Sequence, residues 1–342
     1  MGSSSLKIII ERNIPFIKGV LDDLAKVEYL SADKINAHAM LDADALICRT
    51  RTQCNSNLLN NSRCSFIATA TIGTDHIDLD YCRQRGITVA NAPGCNAPAV
   101  AQYVFASLAH IIDRPISDYT IGIVGVGHVG SIIERWALQL GMQVLLCDPP
   151  RAEIEDSKDF VSLNEIARHC DIITFHTPLT TNGKHPTHHI CANDFLNSLS
   201  HKPIIINCAR GGIFDTNAVI NAFNSEKIAN LIVDCWEREP QLNLTLLEKA
   251  IIATPHIAGY SREGKIRATA MALEALARHF HLTIPDVAQD IPLGAAQNVT
   301  LQSIAQSYNP IVDTQALKAS PSHFEALRNN YDYRHEVKDL NF

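Results

Sequence analysis

The segment Thr120-Ile121-Gly122-Ile123-Val124-Gly125-Val126-Gly127-His128-Val129-Gly130 constrains this chain more than any other. An apolar run of strand character meets G-x-G-x-x-G, and an apolar-periodic helix pattern, Val129–Leu140, follows at once. In that order the glycines have mechanical meaning as a dinucleotide fingerprint. Gly125 permits a tight turn, Gly127 lets the main chain approach a pyrophosphate, and Gly130 allows helix and strand to pack closely. The phosphates would sit at the helix N-terminus. The next apolar run, Gln143–Cys147, ends in Asp148, 18 residues past Gly130. A carboxylate there can accept hydrogen bonds from ribose hydroxyls and repel a 2′-phosphate, so NAD is expected over NADP. Arg151, close by in sequence, keeps NADP open. His128 is expected to face solvent.

Around this motif, short apolar runs alternate with helical patterns. Leu6–Ile10, Ala45–Cys48 and Cys64–Thr69 read as strands, and Ile17–Ala25 as a helix between them. Ala97–Ile112 is a long apolar helix. Tyr119–Val124, Gln143–Cys147, Asp171–Phe175, Pro203–Cys208 and Ala229–Asp234 form a second strand series. Ser162 and Glu165 are spaced as a helix-opening capping box, and Ala268–Phe280 reads as a helix. Alternation of this kind predicts α/β architecture with parallel sheets. At 342 residues two domains are the default, here two doubly wound lobes plus a small C-terminal region interrupted by Pro285, Pro292 and Pro310.

Composition excludes several classes. Net charge is −7 with no basic stretch, which argues against nucleic acid. The ten cysteines form no CxxC pair and read as buried, reduced thiols of a cytoplasmic protein. Met1–Ser5 is small and polar without a signal-peptide pattern, and no apolar run approaches the roughly 20 residues of a membrane span.

Three further segments end predicted strands, where open α/β sheets bind ligands. They are Asn207-Cys208-Ala209-Arg210-Gly211-Gly212, Asp234-Cys235-Trp236-Glu237-Arg238-Glu239-Pro240 and Thr254-Pro255-His256-Ile257-Ala258-Gly259-Tyr260. The Arg210 guanidinium can grip a carboxylate bidentately. Oxidising a secondary alcohol by hydride loss needs a base for the hydroxyl proton, and histidine titrates in the right range. A carboxylate behind it would fix its tautomer. His256 is the expected base and Glu239 its partner, with Glu237 a competitor for that role. His76 and Asp75 form a second possible pair and read as structural. No metal is expected.

These motifs together resemble the D-2-hydroxyacid dehydrogenase family, over roughly residues 6–280. They are G-V-G-H-V-G with Asp148, H-T-P-L-T at His176–Thr180, C-A-R-G-G at Cys208–Gly212, D-C-W-E-R-E-P at Asp234–Pro240 and T-P-H-I-A-G at Thr254–Gly259. The resemblance implies catalytic roles for Arg210, Glu239 and His256. It implies NAD contacts from Gly125, Gly127, His128, Val129, Gly130, Asp148, Thr177, Ala209, Asp234 and Gly259. It also implies a Rossmann NAD domain, 94–257, and a discontinuous flavodoxin-like substrate lobe, 6–93 and 258–284, closing to exclude water. R-N-I-P-F at Arg12–Phe16, T-A-T-I-G-T-D-H-I-D at Thr69–Asp78, A-P-G-C-N-A at Ala92–Ala97 and C-D-P-P-R at Cys147–Arg151 resemble one branch of the family. That branch acts on a small phosphorylated hydroxy acid in pyridoxal phosphate biosynthesis. By this likeness Thr50, Thr71 and Tyr260 would contact substrate, Thr50 standing where serine is expected. Arg49 and Arg51 would be phosphate partners. The tail segment F-E-A-L-R-N-N-Y at Phe324–Tyr331 places a homodimerisation region at 285–342, shorter than that branch's. Alternatives are family members acting on phosphoglycerate, glycerate or lactate, and a non-catalytic NAD(H)-sensing interaction protein.

Overall fold

A computed structural model of the chain describes residues 6–292 and 294–340. The chain forms two compact units, one from 6–96 and 262–292, the other from 97–261 and 294–340.

The first unit holds a five-stranded sheet of β1 (Lys7–Glu11), β2 (Lys26–Leu30), β3 (Ala45–Cys48), β4 (Phe66–Thr69) and β5 (Thr88–Ala90). Every pairing is parallel and the order is β2-β1-β3-β4-β5. The pleat sends alternate side chains into two cores. Ile8, Ile10, Ile47 and Ala68 join one core with Ala268, Ala272 and Leu276 of the helix Arg262–Phe280. Ile9, Leu46, Cys48 and Ile67 join the other. Burial on both faces is why β3 and β4 are continuously apolar in sequence.

The helix expected over Ile17–Ala25 is absent; the segment is a series of turns. Gly19 adopts φ +85 and breaks the helical path, and its N–H bonds to the Tyr29 hydroxyl at 2.9 Å. The apolar spacing there reflects Ile17 and Leu21 plugging the core from turns.

The second unit holds β6 (Thr120–Val124), β7 (Gln143–Cys147), β8 (Ile172–Phe175), β9 (Ile204–Asn207), β10 (Asn230–Val233) and β11 (Ile252–Ala253), all parallel in the order β11-β10-β9-β8-β6-β7. An isolated parallel bridge, Leu146 to Phe160, adds a rudimentary seventh position beyond β7. With it the arrangement is the doubly wound order of dinucleotide folds, and the switch point lies between β6 and β8. The Ser162–Glu165 capping box is formed and opens the helix Leu163–His169.

The tail differs from the expected separate region. Leu293, Asn341 and Phe342 lie outside the described residues. Residues 285–292 belong to the first unit and 294–340 to the second. The reason is apolar burial. Ala295, Val299, Ile304 and Val337 enter one core of the second unit, Leu317 and Phe324 the other. Pro310 interrupts nothing. It occupies the first turn of the helix Pro310–Ala319, where a missing N–H costs no hydrogen bond. The unit boundaries also fall at 96/97 and 261/262 rather than 93/94 and 257/258. All ten cysteines are buried free thiols. Among the described residues no helix is long and apolar enough to cross a membrane.

Candidate active site

At the switch point, Gly125 takes φ +90 and its N–H bonds to the Cys147 carbonyl at 2.9 Å. A Cβ on Gly130 would stand 2.2 Å from the Gly125 oxygen, so turn and helix meet at a distance only glycine permits. Gly127 has open space where a side chain would be, and His128 and Val129 begin the helix His128–Gln139. His128 is exposed. Asp148 closes β7: its Oδ2 accepts from Val126 N at 2.7 Å and its Oδ1 from Arg151 N at 3.1 Å. Each oxygen keeps a second lone pair for a hydroxyl donor. The Arg151 guanidinium is spent on both Glu155 oxygens, at 2.7 and 3.0 Å, and on the Val126 carbonyl at 2.6 Å. That commitment weakens it as a 2′-phosphate ligand. After β8, the buried Thr177 Oγ1 has no hydrogen-bond partner. An orphaned hydroxyl beside a glycine turn opening a helix suits a dinucleotide that would supply the missing partner. The residues present therefore fit NAD.

The ends of β9, β10 and β11 converge. A Cβ on Gly211 would lie 1.8 Å from the Trp236 oxygen. Gly211, straight after Arg210, thus lets this segment cross against the one carrying Glu239. Arg210 is extended, and its Nη1 donates to the Ala209 carbonyl at 2.9 Å. Asp234 is buried. Its Oδ1 accepts from Thr254 Oγ1 at 2.7 Å and Ile257 N at 2.8 Å, and its Oδ2 from Ala258 N at 3.0 Å. Burial outweighs these bonds and the nearby His256, leaving its carboxyl above the ordinary range. Tyr103 in turn shares a 2.7 Å hydrogen bond with Thr254.

His256 follows in the left-handed region at φ +57, a conformation that costs a histidine roughly 1–3 kcal/mol and persists only when its surroundings enforce it. Here its N–H bonds to the Asp234 carbonyl at 3.0 Å. The ring's Nδ1 meets Glu239 Oε2 at 2.8 Å and Oε1 at 3.0 Å. Trp236 N donates to Glu239 Oε1 at 2.9 Å. Burial opposes the Glu239 charge, but His256, the Trp236 N–H and Arg328 overcome it, and the carboxyl sits below its ordinary value. Glu237 is occupied elsewhere, accepting from His189 at 2.8 Å and Thr216 N at 3.2 Å. Of these two glutamates, Glu239 is the one that meets the His256 ring. With Nδ1 facing a carboxylate, Nε2 is the ring atom left to exchange a proton. Cys235 shares with Glu239 and His256 a group of donor atoms within 4.8 Å. Burial, Asp234 and Glu239 push its thiol well above the ordinary value. Gly259 and Tyr260 complete the loop, with the Tyr260 hydroxyl accepting from Arg328 Nε at 3.1 Å.

In the first unit, Arg49, Thr50 and Arg51 lie together after β3. Glu11, buried at the end of β1, accepts from Arg49 N at 2.9 Å and Thr52 Oγ1 at 3.1 Å and so braces the turn. Arg49 Nη1 donates to the Asn13 carbonyl at 3.1 Å; Thr50 and Arg51 are exposed. Thr71, after β4, bonds to Thr69 Oγ1 at 2.6 Å and to the Gly73 carbonyl at 3.0 Å. His76 is buried against Cys48 at 3.9 Å, with burial holding its imidazolium below the ordinary range. Sequence reasoning missed Thr254, Tyr103, Arg328 and Arg334. Arg328 lies in the tail segment Phe324–Tyr331 with no role assigned to it, and Arg334 carries no motif; packing reveals what both touch.

A doubly wound sheet with a nucleotide turn at its switch point and a histidine–carboxylate pair at neighbouring strand ends defines a nicotinamide-dependent dehydrogenase. The chain belongs to the D-isomer specific 2-hydroxyacid dehydrogenase family, whose NAD binding domain matches residues 99–258. It is 46% identical to the erythronate-4-phosphate dehydrogenase of Bacteroides thetaiotaomicron over 344 residues, covering 98% of this chain and 99% of that one. It is 38% identical to the enzyme of the same name from Escherichia coli, covering 98% and 93%. Among solved structures, D-lactate dehydrogenase from Aquifex aeolicus, complexed with NAD and lactic acid, superposes with a TM-score of 0.67 at 24% identity, covering 80% of this chain and 95% of that one. The NAD-bound 3-phosphoglycerate dehydrogenase of Entamoeba histolytica gives 0.67 at 23%, covering 84% and 100%. These two speak for the fold. The chain is an NAD-dependent dehydrogenase.

Proposed function

We propose that the chain oxidises 4-phospho-D-erythronate to (R)-3-hydroxy-2-oxo-4-phosphobutanoate. The observation that carries the chemistry is His256, pinned through Nδ1 by Glu239 with Nε2 left to face a substrate. The turn Gly125–Gly130, Asp148, Thr177, Ala209, Asp234 and Gly259 would hold NAD, which when bound would supply the hydride acceptor. Arg210 holds the substrate carboxylate and so orients C2. His256 Nε2 takes the hydroxyl proton as the C2 hydride departs. Glu239 keeps the ring in the required tautomer and stabilises the imidazolium that forms. Tyr260, Thr50 and Thr71 contact the hydroxylated chain, and Arg49 and Arg51 bind the phosphate. The substrate choice rests on relatives at 38–46% identity across nearly the whole chain. The segment 294–340 is proposed to take part in a homodimer.

The test is NADH formation from 4-phospho-D-erythronate, 3-phosphoglycerate, glycerate and lactate at equal concentrations. The phosphorylated four-carbon acid should give the highest kcat/KM. A higher value for any of the others would overturn the substrate reading while keeping the dehydrogenase chemistry.

A further inference from the structure

The loop after His256 is gripped from two sides. On one side Asp234 accepts from the N–H groups of Ile257 and Ala258. On the other, a guanidinium from the tail takes the carbonyls of the same two residues. Arg334 Nη1 donates to Ile257 O at 3.0 Å and Tyr260 O at 3.1 Å. Its Nη2 donates to Ala258 O and, at 3.1 Å, to Ala99 O. Its Nε donates to Gln102 Oε1 at 3.1 Å. The Gln102 amide is itself locked by Ser307 Oγ at 2.8 Å and the His335 carbonyl at 3.0 Å. The Tyr308 ring lies 4.2 Å from the guanidinium carbon. Ser261 and Arg334 form a parallel bridge, and Ser261 Oγ donates to Glu336 at 2.6 Å.

Only arginine has five donors in a rigid fork, and this loop turns several carbonyls toward one point. A carboxylate on its N–H groups and a guanidinium on its carbonyls sandwich one layer of main chain, each charge helping the other to stay buried. That layer begins at His256, whose left-handed backbone needs enforcement. A second tail arginine reaches the same site. Arg328 Nε donates to the Tyr260 hydroxyl, and its Nη1 lies 3.9 Å from Glu239 Oε2.

We infer that the tail segment from Arg328 to Arg334 positions the catalytic loop of its own chain, Arg334 fixing the main chain of residues 257–260 and Arg328 fixing Tyr260 and Glu239. Both act through other residues and neither takes part in proton or hydride transfer. The inference rests on the reading of His256 as the base.

The experiment compares full-length wild type with Arg334→Lys, Arg334→Met, Arg328→Gln and His256→Asn. The substrate is whichever acid of the panel above wild type turns over best, also deuterated at C2. The readouts are kcat, KM for NAD, the deuterium isotope effect on kcat, and Tm. Arg334→Lys keeps the charge but loses the fork. It should lower kcat at least about tenfold, leave KM for NAD within about threefold and raise the isotope effect, because a misplaced base slows the chemical step. Arg328→Gln should lower kcat about threefold or more with nearly unchanged Tm. A purely structural role predicts a lower Tm with wild-type kcat and isotope effect, and that result in Arg334→Lys overturns the inference. Should both Arg334 variants fail to fold, wild-type kcat and isotope effect in Arg328→Gln overturn it instead. A fully active His256→Asn sinks the base assignment, a failure distinct from that of the tail.

Discussion

The candidate residues of the second unit and those of the first differ in how far they are committed before any ligand arrives. His256, Glu239 and Asp234 sit in a mesh of main-chain and side-chain bonds that leaves little freedom beyond the one ring nitrogen. The loop of Arg49, Thr50 and Arg51 has a braced backbone, through Glu11, with Thr50 and Arg51 exposed and Arg49 half-buried. Chemistry needs groups held within a fraction of an ångström at the moment of reaction. Gripping a dianionic phosphate needs charge and reach, which arginine side chains supply. On the proposed function, transition-state work would fall to the second unit and ground-state recognition to the first.

The strongest way to break that division is to remove the base. His256→Asn should lower kcat at least about a hundredfold while NADH binding, followed by titration, stays nearly intact. Glu239→Gln should cost at least about tenfold. Glu237→Gln, whose carboxylate serves His189 and Thr216, should cost little. Loss of activity in Glu237→Gln but not Glu239→Gln would reverse the assignment.

Arginine replacement in the first unit should act on a different quantity. Arg49→Ala or Arg51→Ala should lower kcat/KM for the phosphorylated acid by roughly 10- to 150-fold, the worth of one charge-assisted contact of about 1.5–3 kcal/mol. The loss should appear in KM more than in kcat, and unphosphorylated erythronate should be nearly unaffected. Equal losses on both acids would mean that these arginines support the turn and that phosphate is held elsewhere.

The same contrast governs what could be read from sequence. Strands buried on both faces, such as Ile172–Phe175 and Ile204–Asn207, announce themselves as apolar runs, and the motifs around Gly125, Arg210, Glu239 and His256 fall at strand ends. The sheet-edge strands Lys26–Leu30 and Thr88–Ala90 are only half-buried and leave no such run. Choosing between Glu237 and Glu239 required the structure, because both lie in one short segment and only geometry separates their partners. Arg334 was illegible for a different reason. It lies 77 residues from the Ile257 carbonyl it holds, and a main-chain carbonyl leaves no trace in residue identity.

Cofactor choice sharpens the comparison within the second unit. Asp148→Ala should narrow the preference for NAD over NADP by about tenfold, or about 1.4 kcal/mol, in paired binding titrations. Wild type with equal affinity for the two would overturn the reading of Asp148.

A last test asks how dry the committed unit is. His176 ends β8 against the glycine turn; its N–H bonds to the Val124 carbonyl at 2.7 Å and its Nε2 meets Thr174 Oγ1 at 2.7 Å. Burial lowers its pKa from 6.5 to about 3. Between those values the unfolded chain binds a proton that the native ring refuses, so the native state loses stability as pH falls from 6.5 toward 3. From pH 7 to pH 5 this one residue should remove about 2 kcal/mol. The two tryptophans, Trp136 and Trp236, both lie in the second unit. Their fluorescence in urea melts therefore reports that unit. His176→Gln keeps a hydrogen-bonding side chain next to Thr174 but does not titrate, and its stability should fall less than that of wild type over the same interval. Parallel pH dependences would show that the native ring is protonated as readily as the unfolded one, and that the floor of the nucleotide turn is wetter than its packing implies.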